Sequence, residues 1–385
     1  TSSSSLFSSV PDSTLATVAS SRTYNVTSAG TFGQFIPALP FSSFVGQGSI
    51  LSLQQIAQSA AYRTNFGLLE AAGEPASVML HVYDNLGNRI ADIPESLLPS
   101  EHLALNGLLA ANNIALDDGR VEVEVLSSTG KVSAYASVID NKSNDPLLVS
   151  AVLKSAVSSN RYVIPGVAYS NGIANWRTDV RLYNTASNSV NATLSYYPQG
   201  APGSPIVRNV TIAAGETKGL DNILNTTFGV NDLNAGGSVV VTTTGTSSII
   251  GSARTYAATD NGTIGQFIPA VTPADAVGAG DRSLQILQLE QSDAFRTNIG
   301  LAETTGNPAT VEVSLVLPDS KVTPVVTFSL AANEFVQFPL SYFNLTDSIY
   351  NARVSVKVTD GNGRVTAYGS LVDNTSKDPT YVPAQ

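Results

Sequence analysis

Three arginines recur along the chain, each placed directly after an aromatic residue and before a threonine. The triplets are Tyr62-Arg63-Thr64, Trp176-Arg177-Thr178 and Phe295-Arg296-Thr297. A guanidinium beside an aromatic face suits the recognition of sugars or carboxylates. The same pair could instead be structural, with the arginine covering a domain edge while the ring fills the core. Because all three copies carry the pattern, we favour the structural role.

Two acidic turns could bind a cation. Residues 140–146 read DNKSNDP and residues 373–379 read DNTSKDP. Carboxylate, amide and carbonyl oxygens within one loop are ligands that calcium accepts. However, the spacing is not that of an EF-hand, and each loop also contains a lysine. Asx turns, in which Asp and Asn side chains bond to their own backbone, explain the same residues without a metal. We favour these turns over calcium and predict no metal site and no cofactor.

Recognisable catalytic motifs do not occur in the sequence. It contains no G-x-S-x-G nucleophile elbow, no H-E-x-x-H pair and no phosphate-binding glycine loop. We expect His81 on the exposed face of a strand and His102 in a linker, and neither recurs in another copy. Glu122 and Glu124 share one strand face, which is the usual pattern of a solvated surface. We predict that the protein is not an enzyme and has no catalytic residues.

The charge balance and the composition exclude several classes of protein. Twenty basic and 30 acidic side chains give a formal net charge of −10, and only 13% of residues are charged. A chain with so few cations is a poor ligand for nucleic acid and for anionic membranes. The absence of cysteine excludes disulfides and thiol chemistry. No apolar run reaches the roughly 18 residues of a transmembrane helix, so we predict no membrane span and no nucleic-acid partner.

The start of the chain and its sequons favour an exported protein. The chain opens with Thr1 and a serine run, which we interpret as a mature form whose signal peptide has been removed. We therefore expect an extracellular or cell-surface location. Eight N-x-S/T sequons would be glycosylation sites if the source organism glycosylates exported proteins. They lie at Asn25, Asn141, Asn191, Asn209, Asn225, Asn261, Asn344 and Asn374.

Internal repetition is the most informative feature of the sequence. Residues 21–39 (SRTYNVTSAGTFGQFIPAL) and residues 253–271 (ARTYAATDNGTIGQFIPAV) are identical at twelve of nineteen positions. The prolines of the Ile/Val-Pro signature stand at positions 37, 165, 269 and 383, which are separated by domain-length intervals. Such intervals are too long for a solenoid or a propeller. The chain is therefore interpreted as a tandem array of related domains.

Within each copy the hydrophobic residues alternate as they do in β-strands. Residues 120–125 (RVEVEV) and 353–358 (RVSVKV) alternate strictly, and short turn sequences separate such runs. Period-two alternation indicates strands with one buried face. No pattern of a three-turn amphipathic helix occurs, although residues 105–109 and 220–224 could form single helical turns. The sequence predicts an all-β fold of three tandem antiparallel β-sandwiches with Ig-like architecture.

The repeats also set the expected boundaries. We place an N-terminal strand segment at residues 1–33, which precedes or joins the first domain. We expect the three sandwiches at residues 34–151, 152–236 and 237–385.

Taken together, the signatures resemble a family of bacterial secreted proteins. They are the RTYN…GTFGQFIPA segment, the aromatic-Arg-Thr-(Asn/Asp) motif, and two closing segments, AYASVIDN at residues 134–141 and AYGSLVDN at residues 367–374. Members of that family carry tandem β-sandwich domains with IPA and WRTD signatures. The resemblance extends from about residue 15 to residue 385. It implies an extracellular, modular and non-catalytic role.

The N-terminal segment is surplus to the repeat pattern. Residues 1–33 resemble the end of a repeat unit, so the chain holds one closing strand more than its units need. We place this strand at residues 15–24, where the candidate self-assembly residues are Leu15, Ala16, Thr17, Val18, Ala19, Arg22 and Tyr24. A strand requires a partner for its backbone groups. It could fold back onto the first domain, or it could add to a sheet of a neighbouring subunit, as in pilin assembly.

Strand addition from head to tail does not close on itself and produces open filaments. Our leading hypothesis is therefore a subunit of an extracellular fibre or pilus-like filament, a homo-oligomer or homopolymer joined by donor-strand complementation. The alternative is a monomeric adhesin or carbohydrate-binding module with a glycan ligand. Exposed aromatic pairs would favour that alternative, and the candidates are Tyr196 with Tyr197 and Tyr342 with Phe343.

Overall fold

The computed structural model describes residues 17–172, 174–345 and 347–385. Sheets dominate the regular structure of these residues, and the strands within each sheet pair antiparallel. The predicted all-β class is confirmed. The described residues form an N-terminal hairpin and enclose three large clusters of buried hydrophobic residues. We call these clusters the first, middle and third cores in chain order.

The N-terminal hairpin consists of β1 (Ser20–Thr27) and β2 (Gly30–Pro37). Its register runs from Ser20 opposite Pro37 to Thr27 opposite Gly30. The turn requires Gly30, whose φ of +108° lies in a region that L side chains rarely adopt.

The first core is enclosed by strands that follow the hairpin. They are β3 (Ile50–Gln58), β4 (Tyr62–Glu70), β5 (Ala76–Asp84), β6 (Arg89–Leu97), β7 (His102–Leu105), β8 (Leu116–Val125), β9 (Val132–Asp140), β10 (Pro146–Ser150) and β11 (Val152–Leu153), with one helical turn, α1 (Leu108–Ala111). The strands form two sheets, with the orders β10-β9-β4-β7 and β11-β3-β8-β5-β6.

The middle core is enclosed by one bent sheet. Its strands are β12 (Ser159–Asn171), β13 (Asn175–Asn184), β14 (Val190–Pro198), β15 (Ile206–Ile212), β16 (Thr217–Leu220), β17 (Asn234–Ser247), β18 (Ile249–Thr259) and β19 (Gly262–Pro269), with a second helical turn, α2 (Ile223–Thr226). The order is β15-β14-β17-β12-β13-β18-β19, with β16 paired to β13. Strands β12 and β13 pair only at residues 170–171, so this short link joins two halves that resemble the two sheets of the first core.

The third core repeats the arrangement of the first. Its strands are β20 (Leu284–Gln291), β21 (Phe295–Glu303), β22 (Ala309–Val316), β23 (Val326–Leu330), β24 (Phe335–Pro339), β25 (Ile349–Gly361), β26 (Val365–Asp373) and β27 (Pro379–Pro383). The two sheets have the orders β20-β25-β22-β23 and β24-β21-β26-β27. Short 3-10 turns connect the elements at Phe41–Ser43, Lys154–Ala156, Pro273–Asp275 and Leu340–Phe343.

The alternating sequences form the strands that they predict. Residues 120–125 lie in β8 and residues 353–358 lie in β25, with their valines turned into the cores. Burying one face of each sheet removes apolar side chains from water, at roughly 25 cal/mol per Å² of apolar surface. The two predicted helical turns correspond to α1 and α2. The predicted boundary near residue 236 falls inside β17, and Val239 and Val241 of that strand belong to the middle core.

Each core has the same strand order around its closing hairpin, the two-stranded unit that carries the repeated segment. A central strand with the aromatic-Arg-Thr triplet (β4, β13 or β21) lies between a short strand and the closing hairpin (β9–β10, β18–β19 or β26–β27). The N-terminal hairpin β1–β2 matches β18–β19 in sequence, through residues 21–39 and 253–271. It is therefore a fourth closing hairpin.

Three expectations about polar residues of the first core were wrong. His81 is only 7% exposed, and its ring nitrogens each lie 2.9 Å from a carboxylate, of Asp92 and Glu124. His102 begins β7 instead of lying in a linker. Glu122 is 2% exposed because the middle core packs against the strand face that faces water in an isolated sandwich.

Candidate assembly site

The predicted self-assembly strand lies partly within the described residues. Leu15 and Ala16 lie outside them, and residues 17–19 precede β1. Arg22 and Tyr24 lie on β1, which begins five residues later than predicted and continues to Thr27. The strand pairs with β2 of the same chain.

The N-terminal hairpin docks mainly on the third core, whereas one of the two alternatives placed it on the first domain, which it also contacts through β10. The backbone N–H and the hydroxyl of Thr31 donate to Asp373 Oδ2 at 2.9 and 2.7 Å. In return, Ser376 Oγ donates to the Thr31 carbonyl at 2.7 Å. The ring of Phe35 is 3% exposed and belongs to the third core. Hydrogen bonds and an apolar anchor therefore fix the hairpin to residues far away in sequence.

The closing hairpin of the middle core docks on the first core through equivalent residues. Thr263 donates from its N–H and its hydroxyl to Asp140 Oδ2, at 2.9 and 2.8 Å. Ser143 Oγ donates to the Thr263 carbonyl at 2.6 Å. Phe267 packs against the first core as Phe35 packs into the third. The two acidic turns thus hold two hairpins in nearly identical ways.

The last strands of the four hairpins meet at the centre of the molecule. β2 contacts β10 and β27, and β19 contacts the same two strands. Two glutamines bridge the cores there: Gln34 accepts a hydrogen bond from Ser137 and Gln266 accepts one from Ser370, both at 3.0 Å. A pseudo-twofold arrangement results, in which the first core corresponds to the third and β1–β2 corresponds to β18–β19.

Two buried aspartates lie at this centre. Asp145 accepts from Gly265 N at 2.8 Å and Asp378 accepts from Gly33 N at 3.1 Å. Each is 1% exposed, and their carboxyls interact with each other. Burial raises the pKa of Asp145 to about 7. Burial, followed by the nearby Asp145 charge, also raises the pKa of Asp378 well above its ordinary value. Two interacting carboxyls resist double ionisation, so the pair holds a proton at pH values below about 7.

One edge of the N-terminal hairpin is open among residues 17–172, 174–345 and 347–385. In the three cores, the first strand of each closing hairpin pairs on both sides, with its second strand and with the central strand. Within the described part of the chain, β1 pairs only with β2. No described strand therefore occupies the position beside β1 that corresponds to β4, β13 and β21, and we call this position the vacant place.

The geometry of β1 directs unpaired backbone groups to this open edge. Ser20 lies opposite Pro37, whose nitrogen carries no hydrogen, so this pair is not hydrogen-bonded. Bonded and non-bonded pairs alternate along antiparallel strands. Arg22, Tyr24 and Val26 consequently direct their N–H and C=O groups away from β2. The side chains of Tyr24 and Val26 are 52% and 75% exposed.

The recurrent arginines make hydrogen bonds within their own units. Arg63 donates to the amide oxygen of Asn141 at 2.9 Å, and Arg296 donates to that of Asn374 at 2.7 Å. Arg177 donates to Asn171 at 3.0 Å and lies over a tyrosine ring. These contacts agree with the structural role that repetition favours.

The acidic turns form the Asx bonds expected of them and a second set that was not expected. Asp140 Oδ1 accepts from the backbone N–H groups of Lys142 and Ser143 at 2.8 and 2.9 Å. Its other oxygen, Oδ2, accepts the two hydrogen bonds from Thr263 of β19. The described residues contain no group of three or more His, Cys, Asp or Glu that could hold a metal. The only sequence signal for the docking role was the recurrence of the turn in the first and third copies.

Most candidate glycosylation sites lie at the surface. Asn225 and Asn374 are half-buried, and the exposed ones are Asn25, Asn141, Asn191, Asn209, Asn261 and Asn344. At Asn141 and Asn374 the side-chain nitrogen already donates to backbone carbonyls, which a glycan would displace. Occupancy of the sequons stays a prediction.

A second feature is a cleft of about 660 Å³ between the middle and third cores. Trp176 and Arg296 line it, together with a polar cluster in which Tyr368 donates to Gln337 at 2.8 Å. Gln199 and Gln337 exchange two hydrogen bonds of 3.2 Å across the cleft. An indole ring with amide and guanidinium groups can stack on a sugar ring and bond its hydroxyls.

The aromatic pairs expected of a carbohydrate-binding surface do not form. Tyr196 is 2% exposed, and its hydroxyl donates to the Gly236 carbonyl. Phe343 is 7% exposed, whereas Tyr342 is 52% exposed. In each pair one ring is needed to fill a core, so neither pair presents two exposed rings.

Comparison with protein-family models and with curated proteins finds no match for this chain. The resemblance to secreted repeat proteins therefore stays a prediction. In the part of the chain that the structure describes, no helix has both the length and the apolar character needed to cross a membrane.

Proposed function

We propose that the protein is a structural subunit of an extracellular or cell-surface filament, whose neighbours are joined by β-strand complementation at the open edge of β1. One observation carries the proposal: β1 is the only first strand of the four described closing hairpins that lacks a central strand beside it. The role of the N-terminal segment changes from that expected. It accepts a strand instead of donating one.

The chemistry of this edge supports strand addition. A β-strand edge presents a row of backbone donors and acceptors, and proteins usually protect such edges with charge, proline or a covering segment. The exposed Tyr24 and Val26 provide none of these protections. An added strand would bury both side chains and satisfy the outward backbone groups.

The proposed contact is heterologous, because the edge of β1 differs from any surface that would supply the strand. Heterologous contacts that do not close produce open filaments. The low charge content and the absence of cysteine suit a chemically inert extracellular structure.

Negative-stain microscopy and sedimentation velocity of the whole chain test this function. We expect filaments or a concentration-dependent series of oligomers. Tyr24→Pro removes one outward N–H without removing a bond to β2, and should abolish assembly. Tyr24→Thr keeps that N–H and is the matched control, which should still assemble. A wild-type protein that stays monomeric at all concentrations, or a Tyr24→Pro protein that assembles normally, would refute the proposal.

The cleft favours a second candidate function, binding of a glycan. Trp176 and Arg296 supply the stacking surface and the charged donor that such a site needs. A glycan array or polysaccharide pull-down with wild-type protein should then show binding that Trp176→Ala removes. Tyr342→Ala, which deletes an exposed ring on the third core, should leave it unchanged. Equal binding by all three proteins would exclude the cleft.

A further inference from the structure

The place that is vacant beside β1 is occupied at its internal counterpart, the hairpin β18–β19. There β13 pairs with β18, with Asp179 opposite Arg254 and Thr178 opposite Thr255. The two threonine hydroxyls lie 2.9 Å apart. Cross-strand neighbours share one face of a sheet, so Asp179 lies beside Arg254. The Asp179 carboxylate accepts a 2.8 Å hydrogen bond from Asn222 N. Burial raises the pKa of Asp179, and the charge of Arg254 opposes this change.

The N-terminal hairpin keeps the residues that receive β13. The sequences SRTY at residues 21–24 and ARTY at residues 253–256 place Arg22 and Thr23 at the positions of Arg254 and Thr255. Thr255 is 5% exposed, whereas Thr23 is exposed. The receiving surface is therefore repeated while the strand that covers it is not.

The hydrogen bonding of the two arginines differs. Arg254 donates to the hydroxyls of Tyr62 and Thr263 at 2.9 and 2.5 Å. Phe295 replaces that tyrosine on the third core, and Arg22 lies 4.9 Å from the centre of its ring. Among the described residues, Arg22 makes ring contacts but has no hydrogen-bond acceptor. A half-buried guanidinium without an acceptor, at an open strand edge, is suited to an incoming carboxylate.

The residues that form the wall beside the vacant place also differ from their counterparts beside β13. In the first core, Asp117 and Asp118 line a cavity of about 180 Å³ with β13, and Asp118 forms a 2.5 Å ion pair with Arg181. The register of β25 places Tyr350 and Asn351 at the corresponding positions of the third core. Tyr350 is 59% exposed. The two acids of that wall are thus replaced by neutral residues. The carboxylates of Asp378, Asp373 and Glu290 act on Arg22, but none accepts a hydrogen bond from it, so an acid opposite Arg22 in an incoming strand would supply that acceptor.

We propose that the open edge of β1 binds an extended segment of another polypeptide that carries the aromatic-Arg-Thr-Asp pattern, antiparallel to β1. Its aspartate lies opposite Arg22 and its threonine opposite Thr23. The inference rests on the function proposed above, since it names the partner of the same edge. The central strands β4, β13 and β21 of this chain are all in place within their own sheets.

A labelled peptide tests the partner directly. The probe is the capped peptide NWRTDVRLYN, the sequence of residues 175–184, added to the whole protein and followed by fluorescence anisotropy. We expect saturable binding that weakens about tenfold or more when the peptide aspartate is replaced by lysine, because a charge-assisted bond is lost and a like charge is added. Arg22→Gln in the protein should weaken the wild-type peptide by a similar factor, and Tyr24→Pro should weaken it further.

The matched control separates this edge from the middle core. Arg254→Gln alters the equivalent arginine where β13 already sits, and should leave peptide binding unchanged. Binding that depends on Arg254 and not on Arg22 would mean that the peptide displaces β13, and would overturn the inference. Binding that ignores the peptide aspartate would also overturn it.

The results distinguish this inference from the proposed function. If filaments depend on Tyr24 but the peptide does not bind, the proposed partner is refuted and the filament function is supported. If the peptide binds saturably and through Arg22 but the protein never assembles, the proposed partner is supported and the filament function is refuted.

Discussion

The hydroxyl of Tyr183 donates a 2.6 Å hydrogen bond to the carboxylate of Glu122 and so joins the middle core to the first. Glu122 also accepts from Lys154 at 3.1 Å and lies 3.4 Å from Arg120. Burial by itself would raise the pKa of Glu122, but the bond from Tyr183 and the two cations outweigh it and lower the pKa. A buried ionised carboxylate therefore holds two cationic groups at the boundary between two cores.

Replacing Glu122 with glutamine should destabilise the protein by about 3–5 kcal/mol, because Arg120 and Lys154 are left without a compensating charge. Urea unfolding followed by fluorescence measures the loss. Glu124→Gln is the control on the same strand, where the carboxylate is 36% exposed beside His81. We expect that control to cost no more than about 1 kcal/mol. Equal losses would show that the boundary network does not depend on the charge of Glu122.

The Asp145–Asp378 pair should make stability depend on pH. Both pKa values are raised, so between about pH 4 and about pH 7 the folded protein holds a proton that the unfolded chain releases. The contribution of the pair to stability is therefore full at the acidic end of this window and decreases as the pH rises. We expect the thermal midpoint to fall across the window. Asp145→Asn, which cannot ionise, should flatten the dependence, whereas Asp319→Asn at the exposed surface should not. An unchanged slope in Asp145→Asn would contradict the assignment.

The ring of Phe35 should anchor the N-terminal hairpin. Removing a buried phenylalanine side chain costs about 3–5 kcal/mol, and here the loss should be local to β1–β2. Hydrogen exchange measured by mass spectrometry should show faster exchange at residues 20–37 in Phe35→Ala. Phe267→Ala is the matched variant and should instead affect β18–β19. If the exchange at β1–β2 stays as slow as in the wild type, Phe35 is not the anchor.

Asp373 should hold the same hairpin on the third core through hydrogen bonds. Both of its oxygens accept hydrogen bonds, one from Thr31 and the other from Ser376 N. Burial by itself would raise the pKa of Asp373, but these hydrogen bonds outweigh it and lower the pKa. The carboxylate therefore keeps its bonds to the hairpin until the pH falls below the ordinary range of aspartate. In Asp373→Asn an amide N–H faces one of the donors, at a cost of about 1–3 kcal/mol.

Limited proteolysis at neutral pH measures this loss of docking. Asp373→Asn should be cleaved near the N-terminal hairpin faster than wild type. Asp360→Asn, a change at an exposed position on β25, should be cleaved at the wild-type rate. Equal rates for both variants would contradict the role of Asp373.

Local patterns determined which residues form strands and which strand faces line the hydrophobic cores. The alternation in residues 120–125 and 353–358 is a property of neighbouring residues, and it specifies β8 and β25 whatever surrounds them. The recurrence of residues 21–39 at 253–271 likewise predicted a surplus closing strand, which the structure shows as the hairpin β1–β2.

Only the tertiary structure decided what those faces and turns contact. Glu122 and His81 follow the same pattern as solvated residues. An alternating strand has the same sequence pattern whether its polar face contacts water or another core. Asp145 and Asp378 come from turns far apart in sequence, and their proximity depends on how the four hairpins meet. The docking of β1–β2 on the third core, and hence the open edge, follows from such long-range contacts. No local pattern encodes them, since each depends on two distant segments fitting together.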